Sequence, residues 1–574
     1  MHKPNLQVKV TILYALLGLI SITWFKSGHL IYFTDSTFPF SPFYDLKGIS
    51  FTWSNSGFGS PNNSVIFFPY FITMYIFHLL LPLWISQWLS WYIIIVSSGI
   101  GFFLLVSIIS PKFKTNVLAP IVGGIAYMLS AYWIFSVLQD PTTAMIFYPI
   151  YPLFIYSFIN FLDKSRYNIF NKYQPIIISL FFLYLPAIFS PYTFILIFSI
   201  LYFFIVSYVV RKPDRKSIKN QIVSVLVLLA FTSGIFFVFF GEIYAYYSGG
   251  FTAVTSNTSN SLENTLYYWL TLNSHGFIYS LLNTGYTLGE QSAPVFGWKW
   301  FSYYTSFPFF IIINAGWPVL AFLSIIFIKK IKQYDDAYRY YISFLTLSII
   351  GIILQTGTAL PTGPLYTWLF FHFPPIRVFD TLNLWYSPIL YLSYGVLSVF
   401  SISCVFSSLE TKLKSNSSNR NFRRALKASA RYLWIFLVIL WLLSPSYPLF
   451  GGAAVPNGTV SAQVELPNYE IATVYFLNSQ NGSFRVISLP LFAYDSEENY
   501  PTGGYFGTNP LYLQLRPGIS YIGSTGSMSS EELSSVNALL RALYSNSTQV
   551  VSILLSQLGI RYIVVTGDYS TDVT

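Results

Sequence analysis

The sequence predicts a membrane all-α protein of about eleven transmembrane helices, with interfacial helices in its loops and a small C-terminal α/β domain. Three observations predict it. Of 574 residues, 54% are hydrophobic, 20% aromatic and only 9% charged, with a mean hydropathy of +0.55; an ordinary soluble globule does not carry that composition. Apolar runs of about 20 residues recur along the chain, the length that crosses the hydrocarbon core at helical rise. The basic residues crowd into alternate connections between those runs.

The first run, 8–25, is too long and too weakly punctuated for a cleaved signal peptide and is expected to remain as an anchor. Further spans are expected at 87–109, 117–138, 144–162, 174–190, 192–210, 221–241, 306–328, 340–357, 385–407 and 432–446. The Gly-Gly-Ile at 123–125 reads as helix packing. The stretch 65–84 is also long enough to span, which makes twelve the rival count. Charge decides between them. With 65–84 lying on the membrane surface, the turns 111–116, 163–172, 211–220, 329–339 and 408–431 share one side with Lys3 and Lys9, and together hold 23 of the 31 Lys and Arg. The positive-inside rule then places the N-terminus in the cytoplasm and the C-terminus outside the plasma membrane. The segment 65–84, with Pro69, Pro82 and many aromatics, becomes an interfacial helix. The net charge of +10 therefore reports topology, and nothing in it resembles a nucleic-acid-binding patch. The lone Cys404 sits in an expected span, which leaves no disulfide or thiolate metal site.

The polytopic domain is 1–446, with outward loops at 26–86, 242–305 and 358–384. From Tyr447 to Thr574 the texture changes. Strand-like pieces (EIATVYFL, FRVISLPL), Gly/Pro turns, a helix in SSEELSSVNALLRALY and a helix–Gly–strand unit in LLSQLGIRYIVVTGD spell an extracytoplasmic α/β domain, either complete or cut short.

Few acids face outward in the membrane domain. Asp35, in TDSTFPFSPFYD a few residues beyond the first span, lies where a carboxylate is costly without a partner or a task. It reads as a general base with a raised pKa or as a helix cap, since Thr-Asp-Ser is a good capping sequence. Asp45 is a candidate supporting residue; Asp140 in Gln-Asp-Pro and Glu242 in Gly-Glu-Ile are candidate supporting or metal partners, or solvated helix ends. The third loop, LFFHFPPIRVFDTLNLWYSP, holds Arg377 with Asp380 three residues on and His372 five before. Arginine's planar donor fork suits a lipid phosphate; the alternative is a structural Arg377–Asp380 pair, and for His372 a satisfied interfacial histidine. No Walker loop, His-rich cluster, nucleophile elbow or dinucleotide fingerprint occurs.

One span followed by a long outward loop with an early acid, then an amphipathic helix before the second span, resembles the layout of GT-C polytopic glycosyltransferases. More narrowly, TDSTFPFSPFYDLKGISFTWSNSGFGSPNNSVIFFPYF resembles the first loop of the membrane domain of α-(1→3)-arabinofuranosyltransferase-type proteins. PPIRVFDTLNLWYSP is similar to the late Arg-plus-Asp loop of that group and of YfhO-like proteins, and LLSQLGIRYIVV to a segment after their last spans. The resemblance implies that Asp35 matches the loop-one acid proposed as catalytic base and that Arg377 and Asp380 match the late-loop pair near the donor. In two respects the chain departs from the pattern: Ser and Thr follow Asp35 where a basic residue is often found, and the long carbohydrate-binding extension is missing. The implied activity is transfer of a sugar from a polyprenyl-phosphate donor to an extracytoplasmic glycan or glycolipid, with membrane lipids as surroundings and no nucleic acid. No cofactor is required; a divalent cation remains compatible, although no dedicated ligand cluster is present. The competing readings are a non-catalytic carrier or flippase of lipid-linked glycans and a membrane assembly scaffold.

Overall fold

Among the described residues, six helical segments are long and apolar enough to cross a membrane: Leu6–Trp24, Leu83–Ile109, Ile146–Asp163, Ala337–Thr356, Trp385–Ser408 and Leu433–Phe450. The structure is a computed structural model that describes residues 4–31, 40–49, 53–54, 60–61, 68–109, 118–133, 141–165, 191–211, 219–223, 225–230, 267, 270–271, 274, 276–284, 309–373, 376, 379, 382–415, 420–450, 463–492, 496–500, 503–507, 509–511, 514–524 and 530–566. The chain is an integral membrane protein, and each of the six segments falls on an expected span. The other five expected spans fare differently. The stretch 117–138 holds an eleven-residue helix, Leu118–Met128, and 192–210 lies within Pro191–Arg211. The stretch 306–328 is broken into Phe309–Asn314, Gly316–Leu323 and a 3₁₀ turn at Ser324–Phe327. The segments 174–190 and 231–241 lie outside the described residues.

We number the helices that position the site α1 (Pro4–Gly18, continued by a 3₁₀ turn, Leu19–Trp24), α2 (Pro42–Ile49), α3 (Phe68–His78) and α4 (Leu83–Ile109). After them come α5 (Leu118–Met128), α6 (Pro141–Ser165), α7 (Asp335–Thr356), α8 (Gly363–His372) and α9 (Leu382–Ser415). Helix α3 spans eleven residues, about 16 Å at helical rise, which is too short to cross a bilayer. A turn at Leu79–Leu81 separates it from α4. Helix α9 is the hub: 94% of its most apolar stretch is buried, with Ser387, Ser393, Ser398, Ser401 and Ser403 all inside. Small residues let helices approach without a hydrophobic drive in lipid. A Cβ at Gly124 of α5 would fall 2.1 Å from the Tyr14 hydroxyl of α1, and one at Gly395 of α9 would fall 2.7 Å from Phe102 of α4.

The tail is mixed. Strands Phe484–Phe492, Ile519–Ser524 and Ile560–Val565 form a parallel three-stranded sheet with the first in the centre. Helices Ser530–Tyr544 and Thr548–Leu558 precede the last strand, and Gly559 (φ +67°) makes the turn into it, as the Leu-Gly-Ile-Arg pattern predicts. One expectation fails: EIATVYFL is a helix, Asn468–Ser479, not a strand. Glu470, Val474 and Leu477 are its buried positions; that spacing of four and three is helical, and it overrides the β-branched content.

Candidate functional site

The first loop leaves the membrane domain through a tightly held root. Trp24, 1% exposed, ends the first span; its indole N–H donates to the Leu449 carbonyl at 2.8 Å. Its own carbonyl accepts from the Gln463 amide at 2.9 Å. Two residues of the loop, Leu30–Ile31 (β1), then pair antiparallel with Gln463–Val464 at the start of the tail. The pairing brings the tail to the end of the bundle where the first span exits. His29, 7% exposed, lies 3.5 Å from Glu465 across the same junction.

The opposite side of β1 meets α4. Gln87 is fully buried, accepts from the Ile31 N–H at 2.8 Å and donates to the Ile31 carbonyl at 2.6 Å. A side-chain amide thus does what a neighbouring strand would do, satisfying both backbone groups of one buried residue. Sequence reasoning missed Gln87. Its signal was a glutamine in the first turns of an otherwise apolar span, WISQWL, where a polar group needs a partner.

Asp35 lies outside the described residues, between Ile31 and Phe40. Both flanks are buried, at 3% and 7%. Beyond Phe40 the chain enters α2, where Asp45 accepts from the Ser41 N–H at 3.1 Å and its own N–H donates to the Ser41 carbonyl. This is helix-start capping. Asp45 keeps part of its surface in solvent, yet desolvation by the surrounding protein pushes its carboxyl well above the usual carboxylate range, outweighing the Ser41 N–H, which favours the charge. Helix α2 packs on α3 through Phe43 and Tyr75, ring centroids 6.1 Å apart, and α3 leads into α4.

The third loop carries α8. Leu365, Trp368, Phe371 and Phe373 are exposed, whereas Tyr366 and Phe370 are buried. His372 is exposed and stacks on Trp368 at 4.9 Å, with Nδ1 against the Trp368 carbonyl at 2.8 Å. That is the arrangement of an interfacial histidine. Arg377 and Asp380 lie outside the described residues, as do Asp140 and Glu242. The residues around the first pair are anchored: Ile376 and Phe379 are buried, and Phe379 stacks on Tyr386 of α9 at 5.1 Å. The Tyr386 hydroxyl meets that of Tyr366 at 3.3 Å.

A second feature that sequence reasoning missed ties loop two to α7 and α9. Asn283 accepts from Gln355 of α7 and from Ser387 of α9, both at 2.8 Å, and all three are buried. Asn283 takes a left-handed conformation (φ 56°) that asparagine tolerates. Among the described residues, no three His, Cys, Asp or Glu side chains gather as a metal cluster.

The whole chain superposes on the solved structure of the arabinofuranosyltransferase AftD from Mycobacteria, with a TM-score of 0.62 and 15% identity, covering 100% of this chain and 36% of that one. A mutant form of the same protein matches with a TM-score of 0.60, 15% identity and coverage of 100% and 37%. This chain thus spans a little over a third of the length of that protein. At that identity the likeness is one of fold. No family model and no curated protein matches the sequence.

Proposed function

We propose that this chain is a membrane glycosyltransferase that moves a sugar from a polyprenyl-phosphate donor to a hydroxyl of a glycan or glycolipid outside the plasma membrane. The observation that carries this reading is the likeness of the whole chain to a little over a third of the arabinofuranosyltransferase AftD. A fold hosts many functions, so the reading also leans on an acid and an arginine flanked by buried, anchored residues.

Asp35 is the general base. It takes the proton of the acceptor hydroxyl as that oxygen attacks the anomeric carbon. The bond from that carbon to the donor phosphate breaks, the glycosidic bond forms, and the lipid phosphate leaves with the electron pair. Arg377 holds the departing phosphate, where preorganised charge acts on the transition state, and Asp380 orients the guanidinium. His372 lies at the rim of the donor region. The exposed aromatic face of α8 docks lipid or sugar, since aromatic bodies suit the headgroup level. Residues 1–446 form the catalytic domain, with the N-terminus cytoplasmic and 447–574 extracytoplasmic.

The test is transfer from a panel of radiolabelled polyprenyl-phosphate sugars by the purified chain and by Arg377→Ala. Turnover with one donor, together with a KM for that donor raised at least about tenfold in Arg377→Ala, is the expected result. Donor binding without turnover, combined with movement of donor across vesicles, would replace the enzyme with a carrier.

A further inference from the structure

We infer that Gln87 is a positioning residue for the proposed transfer: its buried amide fixes the point from which the loop bearing Asp35 leaves the membrane domain. The inference rests on the proposed function. Ile31 lies four residues before Asp35. It is held on one edge by the tail strand at Gln463–Val464 and on the other by Gln87, which occupies both of its backbone hydrogen-bonding groups at 2.8 and 2.6 Å. Gln87 sits on α4, one of the long apolar helices, so the loop root is referenced to a rigid element rather than to another loop. Positioning errors of about 1 Å far from the chemistry can cost on the order of a hundredfold in rate. The amide sets its carbonyl oxygen and one of its N–H groups on a single backbone residue, a donor–acceptor pair that leucine cannot supply and that an acid supplies only when protonated.

Gln87→Glu turns this geometry into a pH signature. A neutral carboxylic acid has the shape of the amide, with O–H donating to the Ile31 carbonyl and C=O accepting from the Ile31 N–H. An ionised one repels that carbonyl. Burial raises the pKa of the new acid, so the neutral form persists at low pH and is lost as pH rises through that raised value. The titratable groups on the elements around it are Lys26 and His29 beside β1, Glu465 beyond the tail strand, Tyr70, Tyr75 and His78 on α3, and Tyr92 on α4. All of them are present in wild type too and cancel in the ratio.

The experiment measures two things in wild type, Gln87→Glu and Gln87→Leu: amide hydrogen exchange of the peptide covering 26–40, and transfer rate from pH 5 to 8. The clamp predicts faster exchange than wild type in Gln87→Leu at every pH, and in Gln87→Glu only toward pH 8. It also predicts that the Gln87→Glu to wild-type ratio of turnover falls at least about tenfold across that range, with donor KM changed less than kcat. Unchanged exchange in both variants would overturn the clamp. Changed exchange with a flat activity ratio would leave the contact structural and overturn the positioning role. Failure of the underlying reading shows separately, as wild type without turnover or Asp35→Asn with full turnover, and either removes the positioning role as well.

Discussion

The buried ion pair between α6 and α7 sets up a double-variant test of the membrane domain. Arg339 is 3% exposed; its guanidinium donates to Asp163 at 3.2 Å, and the Tyr340 hydroxyl donates to the other carboxylate oxygen at 3.0 Å. The guanidinium also lies 4.4 Å from the Tyr340 ring centroid. At the 3.2 Å between Arg339 and Asp163 and an effective dielectric of about 20, the attraction is about 5 kcal/mol. Desolvating the arginine cancels much of it, and Asp163, 33% exposed, is screened by water. Removing one partner of a fully buried pair costs about 3–5 kcal/mol, so Asp163→Ala should cost about 2 kcal/mol. In a domain of this size that is a drop of about 2–4 °C in Tm. Asp163→Ala/Arg339→Met, which removes the buried charge together with its partner, should regain at least half of the loss. Thermal unfolding of detergent-purified protein reads both. Asp163→Ala indistinguishable from wild type, or a double variant less stable than the single, would refute the reasoning.

Gly124→Ala should destabilise by about 1–3 kcal/mol through overpacking, because the new Cβ lands on the fully buried Tyr14, whose hydroxyl donates to Ile121; the same melts measure it. The Asp45 carboxyl has a raised folded pKa, so the folded state binds the proton more tightly than the unfolded chain, and this group's contribution to stability falls as pH rises from the ordinary carboxylate value of about 4 through the raised one. Asp45→Asn should remove that dependence and be at least as stable as wild type at pH 7, as paired melts at pH 4 and 7 would show.

Composition, spacing and charge were enough to read six long apolar helices, the short helix that precedes α4, and the helix–Gly–strand unit around Gly559. Those features depend on local hydrophobicity and on single conformational demands, which a sequence displays directly. EIATVYFL reads as a strand because its residue types favour strands, while it folds as a helix whose buried Val474 and Leu477 pack on Phe484, Val486, Ile519 and Tyr521 of the sheet. The clasp at the root of loop one was illegible for a different reason. Ile31 pairs with Gln463 and with Gln87, partners hundreds and dozens of positions away, and no local pattern announces a backbone held by a side-chain amide. Asp45 shows the limit on acids: the sequence marks a carboxylate in an apolar loop, and the structure finds it capping α2.

The proposed role of Asp35 is tested most directly by single-turnover transfer with Asp35→Asn, once wild type has identified its donor. Donor binding within about twofold of wild type, with the chemical step slowed by a factor of about 10² or more, is what a general base at Asp35 requires. Transfer at the wild-type rate by a folded Asp35→Asn protein would contradict it.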